Sequence, residues 1–158
     1  GSNKHSRELL FKAENDFESP AKHWNNATDL TVDRAFSGKY SEKLGEFSVC
    51  CTIPIDSLLT DSVKQIVVSP KLKILAVNSA ECSLVIAMET DGNQYFWKGF
   101  ELSKYIKSKG GWWQASVNEI IKRADIQANS VMKIYVWSNK KNEIYIDDWK
   151  IGIYSLDN

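Results

Sequence analysis

Aromatic and charged residues recur at alternate positions in several segments of the chain. Successive side chains of a β-strand point to opposite faces, so residues two apart share a face. Tyr and Trp rings can stack on the apolar C–H faces of sugars, while polar side chains fix the sugar hydroxyls. The spacing therefore predicts a sugar-binding outer surface that contains Tyr95, Trp97, Lys133, Tyr135, Trp137 and Glu89.

Two other interpretations of this surface stay open at the level of sequence. One is that loops or a partner domain cover this surface, because aromatic residues on strands pack against other groups more often than they bind ligands. A shift of the face assignment by one residue would expose Phe96 and Phe100 in place of Tyr95 and Trp97.

Residues for acid–base or covalent catalysis are sparse. The only histidines are His5 and His23, and His5 lies in a terminus that we expect to fray. The sequence has no G-x-S-x-G elbow, no phosphate-cradling glycine loop and no paired-histidine metal motif. Asp and Glu are abundant, so a carboxylate pair for glycoside hydrolysis stays an alternative. We nevertheless expect a protein that is not an enzyme and has no catalytic residues.

Strand patterns dominate the segments that position these residues. β-Branched and aromatic residues form short runs separated by Gly, Asn, Asp and Ser, and Asp91-Gly92 is a strong hairpin signal. Short helical turns are predicted at 102–107 and 118–124. The predicted strands are 8–15, 30–32, 40–44, 48–55, 71–79, 82–90, 93–100, 112–117, 131–138 and 143–154. Such regularly spaced strands predict an all-β sandwich or barrel.

Length and charge limit the class of protein further. The 158 residues suit one domain, which we place at 8–158, after a tag remnant and disordered start at 1–7. Lys plus Arg and Asp plus Glu are 20 each, so no net field attracts nucleic acid. No apolar run approaches the roughly 20 residues of a membrane-spanning helix.

Three segments carry a resemblance to a known family. They are 15–18 (NDFE), 35–44 (AFSGKYSEKL) and 144–151 (IYIDDWKI). In this order they resemble the jelly-roll carbohydrate-binding modules, often grouped as galactose-binding-domain-like. The chain also resembles jelly-roll domains of Bacteroidetes-type envelope proteins. The resemblance implies a jelly-roll β-sandwich of two antiparallel sheets, located in the periplasm, at the cell surface or outside the cell.

The same resemblance implies a structural calcium ion where the first and last strands meet. Its ligands would be the carboxylates of Asp16, Glu18 and Asp147 and the carbonyl oxygen of Lys39, and calcium prefers such hard oxygen ligands. The alternative is that these carboxylates bind backbone amides at turns and strand ends. Asp16 stands where the family usually has glycine, which weakens the implied site.

These observations predict a non-catalytic carbohydrate-binding module with an exposed aromatic face and a structural calcium ion. Its partner would be a polysaccharide or oligosaccharide. The alternative is an accessory or interaction domain of a larger envelope or glycan-processing protein, without sugar binding of its own. That alternative predicts that other domains of the larger protein cover the aromatic surface.

Overall fold

The computed structural model describes residues 7–25, 27 and 29–156. The predicted tag and disordered start lie outside the described residues, except for Arg7, which opens the first strand. The strands are β1 (Arg7–Asn15), β2 (Leu30–Thr31), β3 (Ser41–Lys43), β4 (Cys51–Ile53), β5 (Gln65–Ala76), β6 (Ser83–Thr90), β7 (Asn93–Glu101), β8 (Trp112–Ser116), β9 (Glu119–Lys122), β10 (Val131–Trp137) and β11 (Ile144–Leu156). Short 3₁₀-helical turns are Ile55–Leu58, Ser103–Tyr105 and Arg123–Asp125.

The larger of two antiparallel sheets is built around β11. β5 pairs with one side of β11, and β3 and β1 share the other side, β3 at 145–146 and β1 at 149–156. β2 extends the sheet beyond β3, while β8 and β9 share the far side of β5. The first and last strands are therefore antiparallel neighbours, as the family resemblance implied.

The smaller sheet has the strand order β4-β10-β6-β7. Asp91 and Gly92 connect β6 to β7 with φ values of 52° and 79°. Positive φ at both central residues is the geometry of a type I′ turn, which matches the right-handed twist of a hairpin. The hairpin predicted from this dipeptide is confirmed.

The core lies between the sheets and follows the alternation of the strands. In β10, Met132, Ile134 and Val136 are buried, and the residues between them are only partly covered. Ile74 and Ile146 are buried residues of the larger sheet in the same cluster. Each such side chain contributes about 1.5–3 kcal/mol by leaving water. The predicted all-β sandwich of two antiparallel sheets is confirmed.

Two element predictions were wrong. The helical turn predicted at 118–124 is instead β9, which pairs with β5, followed by the 3₁₀-helical turn Arg123–Asp125. β5 starts at Gln65 and not at residue 71, because the strand continues through Pro70. Pro70 lacks an amide hydrogen. It lies where the neighbour of β5 changes from β9 to β8, so its missing donor falls at a break in that ladder.

Candidate functional site

The outer face of the smaller sheet carries most of the predicted sugar-binding residues. Directly paired residues of antiparallel strands share a face. One row across β10, β6 and β7 is Lys133–Ala87–Trp97, and the next is Tyr135–Val85–Gly99. The outer residues of these three strands, together with Phe47, form what we call the aromatic face. Its aromatic and charged members are Phe47, Glu89, Trp97, Glu101, Lys133, Tyr135 and Trp137.

Gly99 lets the Trp97 ring lie against the sheet. A Cβ atom added to Gly99 would be 2.8 Å from Cη2 of Trp97, so the indole occupies the space where a side chain would stand. Trp97 is 50% exposed. Val85, in the same row as Gly99 and Tyr135, is 0% exposed although it is on the outer face. The side chains around Val85 therefore cover it and leave an apolar surface open to solvent.

Phe47 extends the aromatic face beyond Tyr135. Its ring lies 5.9 Å from that of Tyr135 at an interplanar angle of 62°, and its backbone forms an isolated bridge with Trp137. Phe47 is 56% exposed. Trp137 Nε1 donates to Glu46 Oε2 at 3.4 Å. Phe47 was missed because it lies between two predicted strands, where no alternation assigns a face.

A charged pair lies at the other end of the aromatic face. Lys133 Nζ is 2.9 Å from Glu89 Oε1, and both side chains are partly exposed. This hydrogen bond to Glu89 raises the pKa of Lys133 above its ordinary value. A solvent-exposed pair contributes at most about 1 kcal/mol to stability. The pair places one hydrogen-bond donor, Lys133, and one acceptor, Glu89, beside the aromatic rings.

Tyr95 does not lie on the aromatic face, so the prediction that it shares a face with Trp97 was wrong. Met88 pairs with Phe96 and Glu89 with Gln94, which leaves Tyr95 as the extra residue of a β-bulge. Its hydroxyl is 3.5 Å from the buried Met88 Sδ and accepts the Gln127 amide at 3.1 Å.

The face assignment of Trp97 itself is not shifted by one residue. Phe96 and Phe100 pair with the inward-facing Met88 and Leu84 and pack against the core. The alternative in which these two phenylalanines form the exposed set was therefore wrong. Five of the six predicted side chains share one surface, and Tyr95 alone is placed elsewhere.

The residues implied for calcium have other partners. Both carboxylate oxygens of Glu18 accept amide hydrogens, from Lys39 and Tyr40 at 2.9 Å each. Asp16 Oδ1 accepts the Glu18 amide at 3.0 Å. The Lys39 residue enters this arrangement through its amide, and its ammonium group lies 5.4 Å from the ring centroid of Tyr40.

Asp147 is also held by amides. Its Oδ2 accepts the Phe36 and Ser37 amides at 2.9 and 3.2 Å, and its Oδ1 accepts the Asp148 amide at 2.8 Å. Burial raises its pKa to about 6 despite these bonds. Within the described residues, no three His, Cys, Asp or Glu side chains converge as metal ligands. Backbone amides thus already occupy the carboxylate oxygens of Glu18 and Asp147, and the calcium site stays a prediction.

A second carboxyl group is buried where the sequence indicated nothing. Glu42 in β3 is 4% exposed, and its two oxygens accept the Val49 amide at 3.3 and 3.0 Å. Burial raises its pKa to about 7, and the nearby charge of Asp29 adds to the effect.

No described helix is long and apolar enough to cross a membrane.

Comparisons with known proteins find this fold in sugar-binding structures. No family model and no curated protein matches the sequence. The CBM22-1 xylan-binding domain from Paenibacillus barcinonensis Xyn10C has a TM-score of 0.53 at 16% identity, over 94% of this chain and 94% of its own. The CBM22-1-CBM22-2 tandem domain of the same protein has a TM-score of 0.52 at 15% identity, over 99% of this chain and 47% of its own.

A weaker match is the C-terminal family 22 carbohydrate binding module of Clostridium thermocellum Xyn10B. Its TM-score is 0.48 at 13% identity, over 90% of this chain and 92% of its own. At such low identity, the comparisons show the fold alone. The predicted jelly-roll fold, and the resemblance to carbohydrate-binding domains of that fold, are confirmed, whereas the Bacteroidetes origin stays a prediction.

Proposed function

We propose that this chain is a non-catalytic carbohydrate-binding domain and that its aromatic face binds the sugar. The observation that carries the proposal is the half-exposed ring of Trp97 lying over Gly99. Gly99 is in register with Val85 and Tyr135, so the ring lies in the row that holds Tyr135. A ring laid along a sheet offers a flat apolar surface to a sugar ring. The fold shared with xylan-binding domains supports a sugar as the ligand.

The spacing of the strands suits a chain of linked sugars. Trp97 and Tyr135 lie on strands separated by β6, so their backbones are roughly 10 Å apart. A glycan that runs across the strands would stack one sugar on each ring. Lys133 and Glu89 would then donate to and accept from its hydroxyls. Because the face is shallow and wet, we expect weak to moderate affinity.

The placement of the buried carboxyl groups supports a role without catalysis. Glu42 and Asp147 are the described carboxyl groups with raised pKa values. Both are buried on the larger sheet, where backbone amides occupy their oxygens. A glycosidase needs one such acid beside the glycosidic bond. Neither group lies on the aromatic face.

A sugar-binding domain of this kind would act where polysaccharides are found. We place it outside the cytoplasm, as part of a larger envelope or glycan-processing protein that it directs to its substrate. Nucleic acid is not the expected ligand, because the 20 basic and 20 acidic residues balance.

Titration calorimetry with soluble neutral polysaccharides, xylan and β-1,4-galactan among them, tests the proposal. We expect Trp97→Ala and Tyr135→Ala each to weaken binding about tenfold, which corresponds to about 1.4 kcal/mol. Phe36→Ala is the matched control, since Phe36 is an exposed aromatic residue of the segment before β3, and its ring lies beside Lys73 of the larger sheet. It should bind as the unmodified chain does.

Binding that survives both substitutions would place the sugar elsewhere. No binding to any neutral glycan, with an intact fold, would favour the accessory-domain alternative. The aromatic face would then dock onto another protein domain.

A further inference from the structure

Two lysines lie directly opposite each other on the outer face of the larger sheet. Lys150 of β11 pairs with Lys71 of β5, and the same row continues to Glu14 on one side and Ser116 on the other. Both lysines are exposed. Like charges directly opposite each other on a sheet are destabilising. The cost of this pair would be removed by an anion bound between the two ammonium groups.

The nearby acidic residue does not neutralise this pair. Glu14 Oε1 is 3.3 Å from Lys12 Nζ and thus forms its ion pair within β1. Among the described residues, no carboxylate lies within ion-pair distance of Lys71 or Lys150. The positive potential is local, because the whole chain has equal numbers of basic and acidic residues.

An aromatic ring lies on the sheet next to the two lysines. A Cβ atom added to Gly152 would be 2.7 Å from both Cε2 and the hydroxyl oxygen of Tyr154, so this ring covers the glycine. Gly152 is in register with Lys12 and Ser69. This row is two residues along the strands from the row that holds Lys71 and Lys150, and it lies on the same face. The arrangement matches that of Trp97 over Gly99 on the opposite sheet.

A groove of about 500 Å³ joins these features. Polar side chains at its wall include Ser69 and Asn118, whose Oγ and Oδ1 atoms are 2.6 Å apart. The Ser69 hydroxyl occupies the amide oxygen of Asn118, and the amide NH₂ group keeps its hydrogen-bond donors. We call this surface, formed by Lys12, Ser69, Lys71, Asn118, Lys150 and Tyr154, the lysine groove; Glu14, which pairs with Lys12, also lines it.

We propose that the lysine groove is a second sugar-binding site and that it takes a carboxylated sugar, a uronic acid residue of an acidic polysaccharide. The Tyr154 ring stacks on the pyranose, Lys71 and Lys150 bind the carboxylate, and Ser69 and Asn118 bind hydroxyls. The site goes beyond the proposed function, because it lies on the other sheet and selects a charged ligand.

Titration of the intact chain with an oligogalacturonate, and with its fully methyl-esterified form, tests this site. We expect the acid to bind at least tenfold more tightly than the neutral ester, which has no carboxylate for Lys71 and Lys150. Lys71→Gln combined with Lys150→Gln should weaken binding of the acid at least tenfold. Lys107→Gln combined with Lys109→Gln removes the same charge from an exposed loop and should have little effect.

Further variants separate the two sites. Trp97→Ala should leave binding of the acid unchanged, because Trp97 is not part of the lysine groove. The aromatic-face proposal can therefore fail without affecting the lysine-groove proposal. Tyr154→Phe should retain binding and Tyr154→Ala should lose it, with thermal melts recorded for both. Equal affinity for acid and ester, an unchanged affinity in the Lys71/Lys150 variant, or equal displacement by a single-stranded oligonucleotide would overturn the inference.

Discussion

Glu18 and Asp147 hold the segment that precedes β3 from two sides. Glu18 accepts amides at Lys39 and Tyr40, and Asp147 accepts amides at Phe36 and Ser37. Gly38, with φ of 61°, makes the intervening turn, and an added Cβ atom would clash with the Glu18 carboxylate. The carboxylates that suggested a cation site are therefore organised by backbone N–H donors.

Calcium should not be required for this arrangement. We expect the melting temperature to be the same with calcium and with a chelator. Glu18→Gln should lower the free energy of unfolding by about 1 kcal/mol, because an amide side chain cannot accept both backbone hydrogens. Thermal and urea unfolding measure both effects.

Glu14→Gln is the control for this prediction, since Glu14 is an exposed carboxylate of β1 whose side chain pairs with Lys12. It should change stability by a few tenths of a kcal/mol. A calcium-dependent rise in melting temperature that disappears in Glu18→Gln would restore the calcium site and contradict the prediction.

The residues of the aromatic face show how far alternation reaches. Trp97, Tyr135 and Trp137 were placed together because a strand alternates strictly between its two faces. Tyr95 was misplaced because one inserted residue changes the alternation, and nothing local in the sequence marks the bulge. Phe47 joins the face through a bridge to Trp137, 90 positions later in the chain, and such a pairing has no local pattern.

At the scale of strands, one glycine on each sheet leaves space for an aromatic ring to lie along the strand. Gly99 lies under Trp97 in β7, and Gly152 lies under Tyr154 in β11. A glycine in a strand ordinarily weakens it. Here the neighbouring aromatic ring covers the bare backbone and is thereby laid along the sheet. This gives each strand a flat ring at its surface.

Adding a side chain at Gly99 should therefore change binding more than stability. In Gly99→Ala, the Cβ atom would lie 2.8 Å from Trp97 Cη2, and the ring must lift from the strand. We expect the affinity for a neutral glycan to fall severalfold in calorimetric titration. The free energy of unfolding should change by less than about 1 kcal/mol, because alanine restricts the unfolded chain more than glycine does.

Gly45→Ala is the matched control, because an added Cβ atom there meets nothing within 4 Å and its φ is not positive. Its affinity should equal that of the unmodified chain. Unchanged affinity in Gly99→Ala would show that the position of the Trp97 ring does not matter for binding.

The elements were predictable where patterns are local. The β6–β7 hairpin follows from Asp91-Gly92, and β10 follows from its alternating residues. β9 was misread because its four residues, EIIK, are too short for the period of a strand to be distinguished from that of a helical turn. The start of β5 was misread because a proline within a run of residues argues against a central strand.

At the scale of the whole molecule, the sandwich divides the surface into two separate sites. The pairing of β1 with β11 in the larger sheet supports the lysine groove, whose residues come from both halves of the chain. The hairpin of β6 and β7 supports the aromatic face. Sequence alternation alone could not find the lysine groove, because Lys71 and Lys150 are opposite each other only through the register of two strands.

The stability of this sandwich should depend on pH through its buried carboxyl groups. The pKa of Glu42 is raised from 4.5 to about 7 in the folded chain, so between these values the folded chain binds more protons than the unfolded chain. The free energy of unfolding then falls as the pH rises from 4.5 to 7, by an amount on the order of 3 kcal/mol from Glu42. Asp147, with its pKa raised to about 6, acts in the same direction.

Urea unfolding at pH 5.5 and 8 measures this dependence. Glu42→Gln keeps an oxygen for the Val49 amide and removes the proton, so the difference in stability between the two pH values should shrink. Glu101→Gln, at an exposed position of β7, should retain the full difference. A chain equally stable at both pH values, or one whose pH dependence Glu42→Gln does not reduce, would show that Glu42 titrates normally despite its burial.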